Sequence, residues 1–235
     1  DTAGFTGAEL ANILNEAAII ATINKHEAIT RQDIEEAVKK VTVGIEKHSR
    51  VISEKDKRIT AYHEAGHAIV SKYLPTQKEV KEVSIIPRGI AGGYTMYKTD
   101  EDKCYISKTE MEEKLIALFG GRAAEKLVIN DISTGAMNDI EVATKIARDM
   151  VTKYGMSDTL GPISINIEKD PYELEMLGSK YSDAIGLEVK NLMDNAYYNA
   201  QKILSEHMDK LHEIAQELIK KEVLSAEEFE RFFKM

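Results

Sequence analysis

The chain has 235 residues, of which 43% are hydrophobic and 30% charged, enough to bury the core of one domain with an appendage. Acidic residues outnumber basic ones by 40 to 31, and this net charge of −9 argues against a nucleic-acid partner. The single cysteine, Cys104, excludes a disulfide within the chain and fits a reducing compartment. Because the chain begins at Asp1 rather than at a methionine, we expect it to be a fragment of a longer protein.

The N-terminal segment, residues 1–43, predicts a pair of helices. A capping box at Thr6–Glu9 opens the first helix, and Thr30 caps the second. Residues 44–57 are charged and only weakly periodic, which is typical of a linker. A third helix is expected over about residues 54–74, so the linker runs directly into it.

Beyond the third helix, the hydrophobic pattern first alternates with a period of two and then returns to helical spacing. Two strands are predicted at Val80–Ile86 and Tyr94–Lys98, and a further short strand is a candidate at Pro162–Ile167. Helices are predicted at residues 107–128 with a Gly-Gly interruption, from after Gly135 to Tyr154, at 181–221 and after Ser225. The expected fold class is therefore mainly α with one small β-sheet directly after the third helix.

The third helix carries His-Glu-Ala-Gly-His at residues 63–67. Two histidines four residues apart project from one helix face, so their imidazoles can converge on a single zinc ion. Glu64 can then reach a metal-bound water and act as a general base, as in zinc peptidases. Glycine within a helix costs up to about 1 kcal/mol relative to alanine, so Gly66 indicates a packing reason, of which close approach of a neighbouring element is one. The alternative is that both histidines are ordinary surface or core residues.

The motif by itself does not supply a third metal ligand. A metzincin would continue it with a glycine and a histidine at the positions of Val70 and Tyr73, so that class is excluded. Two carboxylates remain as candidates: Glu125, which ends Gly-Gly-Arg-Ala-Ala-Glu, and Asp139, which ends Ser-Thr-Gly-Ala-Met-Asn-Asp. Physical reasoning permits either to bind the metal while the other accepts a hydrogen bond from a ligand histidine. Each is otherwise an ordinary solvated helix charge.

Together, these motifs resemble the peptidase region of the FtsH family of membrane-anchored, ATP-dependent zinc proteases. The resemblance covers essentially the whole chain and includes Met-Ser at residues 156–157. It implies that Asp139 completes a Zn²⁺ site with His63 and His67. It also implies that Glu125 supports a ligand histidine from outside the coordination sphere, and that Glu64 activates the water for peptide-bond hydrolysis.

The resemblance further divides the chain into the end of an AAA+ lid subdomain (1–43), a linker (44–57) and a zinc metallopeptidase domain (58–235). ATP and Mg²⁺ would belong to an ATPase portion whose phosphate-binding motif this chain lacks, and the membrane anchor to another segment. The implied protein is a homohexamer that degrades unfolded and membrane proteins in quality control. Its expected location is the cell inner membrane, with this domain on the cytoplasmic side, or alternatively the mitochondrial inner membrane.

The second predicted strand is the candidate for binding the substrate, because an exposed strand edge can pair with an extended peptide. Its proposed contact residues are Gly92, Gly93, Tyr94, Thr95 and Met96. The alternative is a purely structural hairpin.

Two rival functions remain at this stage. Peptide deformylases share the histidine motif but place a cysteine ligand before it, whereas Cys104 follows it. A non-catalytic helical adaptor is the second rival, and it would contain no stoichiometric zinc.

Overall fold

The computed structural model describes residues 2, 4–46, 52–89, 91–98, 105–165 and 178–234. Cys104 and residues 47–51 of the expected linker lie outside the described residues. The helices of the described part are α1 (Gly7–Ile23), α2 (Arg31–Thr42), α3 (Glu54–Tyr73), α4 (Lys108–Leu118), α5 (Gly120–Ile129), α6 (Met137–Thr152), α7 (Ser179–Glu206), α8 (Met208–Lys221) and α9 (Ala226–Arg231). The strands are β1 (Val80–Ser84), β2 (Tyr94–Tyr97) and β3 (Val223–Ser225). The expected fold class is confirmed.

The sheet is antiparallel, with the strand order β2-β1-β3, so β2 is an edge strand among the described strands. Val83 in the central strand pairs with Thr95 on one side and Leu224 on the other. The third strand was missed because three residues are too short to show a period of two. The strand considered at 162–167 is wrong for residues 162–165, which belong to no strand, and residues 166–167 lie outside the described part.

Two predicted helices are each divided in the structure. The helix expected over residues 107–128 ends at Leu118 and restarts at Gly120 as α5, with Phe119 between them. The helix expected over residues 181–221 is broken at His207 into α7 and α8. The first break falls at the expected Gly-Gly interruption, and α5 beyond it packs against α3.

Helix α3 is the centre of the larger hydrophobic core. Every residue from Ala61 to Ser71 is buried, including the polar members of the histidine motif. The helix packs against α5, α8 and the sheet, and the surrounding core includes Leu115, Leu211 and Leu218. A helix surrounded on all sides holds its side chains rigidly, which suits a site that needs fixed geometry.

Glycines allow α3 and α5 to cross with their backbones almost in contact. A methyl group on Gly66 would lie 2.4 Å from the carbonyl oxygen of Gly120, and one on Gly120 would lie 2.7 Å from that of Gly66. The close approach expected from Gly66 is therefore confirmed. It brings α5 directly beside the two histidines.

Helices α1 and α2 form a separate small core around Ile13, Ala17, Ala37 and Val38. Each helix begins with a capping box: the threonine side-chain oxygen accepts from the backbone N–H three residues later, and the acidic side chain there accepts from the threonine backbone N–H. This pair therefore has its own local stability and contacts the rest of the molecule through polar groups.

Polar contacts of the helical pair are centred on Arg88, which lies between β1 and β2 and whose guanidinium is almost completely buried. It donates to Glu36 of α2 at 2.7 Å and to Glu46 at 2.8 Å. Nearby, Lys39 of α2 donates to Glu82 of β1 at 2.7 Å. These ion pairs join the helical pair to β1 and to the segment between β1 and β2.

Candidate metal centre

His63 and His67 project from the same face of α3, as their spacing requires. Each Nδ1–H donates to an oxygen: His63 to Glu125 Oε1 at 2.7 Å, and His67 to the carbonyl oxygen of Ala117 at 2.9 Å. In the neutral rings, the proton therefore sits on Nδ1 and the lone pair on Nε2. The two Nε2 atoms face each other 3.1 Å apart, which is the arrangement that two nitrogen ligands of one metal ion adopt.

Asp139 lies in the first turn of α6 and reaches the same point. Its Oδ2 is 3.4 Å from His63 Nε2 and 3.3 Å from His67 Nε2. A tetrahedral zinc site with bonds of about 2.0–2.1 Å has ligand atoms about 3.3–3.4 Å apart. The three donor atoms thus have the chemistry and the mutual spacing of three corners of a zinc tetrahedron, and these residues fit Zn²⁺.

The electrostatics of the cluster favour a cation. Burial alone lowers the pKa of His63, but Asp139, Glu125 and Glu64 outweigh burial and raise it to about 10. Burial likewise raises the pKa of Asp139, yet its contacts with the two histidines hold it well below its usual range. The carboxylates therefore create a strongly negative potential at the point where the Nε2 atoms meet.

Glu125 is almost fully buried and binds His63 through Nδ1, the ring nitrogen that faces away from the three converging donor atoms. In addition to the bond from His63, its carboxylate accepts from the backbone N–H of Ser133 at 2.6 Å and from the Ser133 hydroxyl at 3.0 Å. Burial raises the pKa of Glu125, but the bonds from His63 and Ser133 lower it overall, so the group stays ionised. Glu125 is not among the three atoms that converge, because both of its oxygens face His63 Nδ1 and Ser133.

The Glu64 side chain is buried and lies between α3 and β2. Its Oε2 accepts a hydrogen bond from the Thr95 hydroxyl at 2.9 Å. Burial raises the pKa of Glu64, while the two histidines and Thr95 partly offset that effect. A desolvated carboxylate with one oxygen held in place is suited to exchange protons at the other.

A cleft of about 680 Å³ opens over these groups. The cleft is lined on one side by the histidine motif and Asp139, and also by the edge strand β2 and the segment that precedes β2. Of the five residues expected to bind substrate, Gly92, Gly93, Tyr94 and Thr95 line the cleft, whereas Met96 does not. In an extended strand, alternate side chains point to opposite faces, and Thr95 occupies the face towards α3 while Met96 occupies the other.

Three contributors to the site were not expected from the sequence. The carbonyl of Ala117 has no sequence signal, since every residue has one. Gly121 had a signal in the Gly-Gly pair: a methyl group there would lie 2.4 Å from the His63 ring. Ser133 holds Glu125 from the turn before α6, and in the sequence Ser133 stood out only as part of the motif that ends at Asp139.

Among the described residues, no helix combines the length and the apolar content needed to cross a membrane. The described His, Cys, Asp and Glu side chains form one group able to hold a metal, namely His63, His67 and Asp139.

Comparison with known proteins agrees with this site. A family model described as peptidase family M41 matches residues 50–232, and one described as the AAA+ lid domain matches residues 1–36. A protein named ATP-dependent zinc metalloprotease FtsH from Caldicellulosiruptor bescii is 52% identical over 237 residues, which make up 98% of this chain and 38% of the relative.

Two further relatives carry the same name. FtsH 1 of Thermoanaerobacter sp. is 52% identical over 239 residues, 99% of this chain and 39% of its own length. FtsH 4 of Synechocystis sp. is 42% identical over 236 residues, 97% of this chain and 38% of its own length. The chain thus spans about two-fifths of these relatives, and the expected resemblance to the FtsH proteases is confirmed. Since the M41 model matches most of its length, the chain belongs to peptidase family M41.

Proposed function

We propose that this chain is the proteolytic part of a zinc metalloendopeptidase. The observation that carries the proposal is the convergence of His63, His67 and Asp139 within 3.1–3.4 Å, with Glu64 beside them on the wall of a cleft. Membership of a peptidase family and relatives named zinc metalloproteases support it. A bound Zn²⁺ would polarise the scissile carbonyl and lower the pKa of water.

Each residue of the site has a separate task in this proposal. His63, His67 and Asp139 would hold the ion, and Glu125 keeps His63 in the orientation and tautomer that metal binding needs. Glu64 Oε2 is held by Thr95, so Oε1 is the oxygen that takes the proton from the attacking water. The same carboxylate would then give that proton to the departing amine as the peptide C–N bond breaks.

The substrate would bind as an added strand on β2. An edge strand offers backbone N–H and C=O groups that pair with any peptide, which suits an enzyme of broad specificity. N-methylation of a peptide substrate at successive positions tests this arrangement. KM will rise at alternate positions, where the lost N–H faced β2, and a KM that is equal at every position would contradict strand addition.

Glu64→Gln tests the chemistry. The variant will bind one zinc per chain and lose peptide cleavage by about 10²–10⁴-fold in kcat, because general-base catalysis is removed while the ligands remain. Glu54→Gln, at the exposed start of the same helix, is the matched control and will cleave at the wild-type rate. Full cleavage by Glu64→Gln would refute the mechanism.

Asp139→Asn tests the ligand set. We expect lower zinc occupancy by elemental analysis, and unchanged occupancy would count against this ligand. Wild-type protein that purifies without stoichiometric zinc would instead favour a non-catalytic helical adaptor.

We also propose that the longer protein is an ATP-driven, membrane-anchored homohexamer that degrades unfolded and membrane proteins in quality control. The relatives' printed names, which include the word ATP-dependent, and the AAA+ lid match support a linked ATPase portion that uses ATP and Mg²⁺. The bacterial relatives favour the cell inner membrane, with this domain on the cytoplasmic side, over the mitochondrial inner membrane. Light scattering and membrane fractionation of the full-length protein test these points, and a monomer in the soluble fraction would contradict them.

A further inference from the structure

Thr95 occupies an unusual position in the cleft because its side chain and its backbone face different partners. The hydroxyl oxygen lies 2.9 Å from Glu64 Oε2 and 3.2 Å from the Glu64 carbonyl oxygen, so this side chain rests on α3. Tyr97, two residues later, also faces α3, where its hydroxyl accepts from Ser71 at 3.0 Å. The inward face of β2 is thus fixed to the helix at two points.

The backbone of Thr95 faces the open edge of the sheet. In an antiparallel pair, residues alternate between directing both N–H and C=O to the partner strand and directing both away. Ile85 N–H bonds to the Glu222 carbonyl on the β3 side of β1 at 2.9 Å, and the β1–β3 register is regular from there to Val83. By the alternation, Val83 also directs its N–H and C=O towards β3 and away from β2. Thr95 is the partner of Val83 in β2, so the N–H and C=O of Thr95 point away from β1, towards the open edge.

The strand and the helix are pressed together at this point. A methyl group on Gly93, which directly precedes β2, would lie 2.7 Å from the Thr60 methyl group and 3.0 Å from Glu64 Cγ, both on α3. Glu64 is almost fully buried, with 6% of its surface exposed, so little water can take over the role of a lost protein donor. The position of β2 therefore determines where the Glu64 carboxylate sits.

We propose that Thr95 is a positioning residue that orients the Glu64 carboxylate by its hydroxyl while its backbone binds the substrate peptide. This inference rests on the proposed function, because it assigns Thr95 to the same reaction. Thr95 thereby links peptide binding at the edge strand to the position of the general base. A peptide that pairs with the Thr95 backbone fixes the position of β2, and the Thr95 hydroxyl in turn fixes the position of the Glu64 carboxylate.

Two substitutions separate the hydroxyl from the shape of the side chain. Thr95→Val keeps the shape and removes the donor, whereas Thr95→Ser keeps the donor. In the zinc-loaded protein, with an unstructured peptide as substrate, Thr95→Val will lower kcat about 10- to 100-fold and leave KM within about twofold, because misplacing a catalytic group by about 1 Å costs rate rather than binding. Thr95→Ser will restore kcat to within about threefold, and zinc content will be equal in all three proteins.

Wild-type kcat in Thr95→Val would overturn the proposal, as would equal loss in Thr95→Ser, which would assign the effect to packing of the methyl group. A crystal structure of zinc-loaded Thr95→Val provides a readout without turnover. The Glu64 carboxylate will have left its wild-type position, and an unmoved carboxylate would also overturn the proposal. If wild-type protein binds zinc but does not cleave peptides, the proposed function fails, and the carboxylate position still tests Thr95.

Discussion

Gly66→Ala is the substitution whose effect the structure determines most directly. The added methyl group would lie 2.4 Å from the carbonyl oxygen of Gly120 and 2.7 Å from the Ala124 Cβ. Both contacts are shorter than van der Waals separation, and the first is to backbone, which cannot rotate away. Helices α3 and α5 must therefore separate at the crossing, directly beside the metal centre.

Two opposing effects set the change in unfolding free energy for Gly66→Ala. Alanine is the better helix former by about 0.8–1.0 kcal/mol, which favours the variant. Overpacking a well-packed core typically costs about 1–3 kcal/mol and occasionally more, and a clash between two backbones belongs at the upper end of that range. We expect a net loss of about 2 kcal/mol of unfolding free energy, which lowers Tm by about 4–8 °C in a chain of this size.

Gly186→Ala is the matched control, because Gly186 lies in α7 with open space around the position of an added methyl group. That variant will be stabilised by up to about 1 kcal/mol through helix propensity alone. Thermal unfolding followed by circular dichroism measures both changes, and elemental analysis measures zinc. The displaced α5 also carries Glu125, so Gly66→Ala will bind zinc more weakly. Equal stabilisation by the two substitutions would refute the reasoning.

Three further predictions follow from single contacts. Glu125→Ala will weaken zinc binding about 10- to 100-fold in competition with a chelator, because the ring it orients loses its acceptor; unchanged affinity would contradict this role. Arg88→Met will lower the unfolding free energy measured in urea by about 2–3 kcal/mol, because two charge-assisted bonds from a buried guanidinium are lost. Arg31→Met removes an exposed ion pair and will leave the unfolding free energy almost unchanged. Equal losses in the two variants would contradict this prediction. Hydrogen bonding from Thr30 holds the pKa of Asp33 well below its usual range, so the stabilisation from this carboxylate is complete above about pH 5 and is lost as the pH falls below about 4. Asp33→Asn will therefore flatten the acid-induced loss of helical signal, and an unchanged acid profile would argue against it.

Much of the fold was predictable because its signals are local. The starts of α1 and α9 were visible as a hydroxyl residue followed by an acid three positions later, and Thr30 marked the start of α2. The positions of β1 and β2 followed from alternating residues. The division of the long C-terminal helix at His207 was not predictable, because the helical period continues through the break.

The sequence by itself determined one half of the metal site. A spacing of four residues on a helix places His63 and His67 on one face in any fold that keeps the helix. Gly66 also indicated a packing requirement, since glycine within a helix is unfavourable unless a neighbouring element lies close to it. The resemblance to a protease family then selected Asp139 over Glu125, which physical reasoning from the residues alone had left open.

Only the tertiary structure decided what surrounds that half-site. The Glu125 acceptor of His63 lies 62 residues further along the chain, the Ala117 carbonyl lies 50 residues beyond His67, and Thr95 lies 31 residues beyond Glu64. Separations of this length are set by how helices and strands pack, not by the period of any one element. Local helical spacing therefore places the two histidines. The third donor and the groups that orient the site reach their positions only when α3, α5, α6 and β2 pack together.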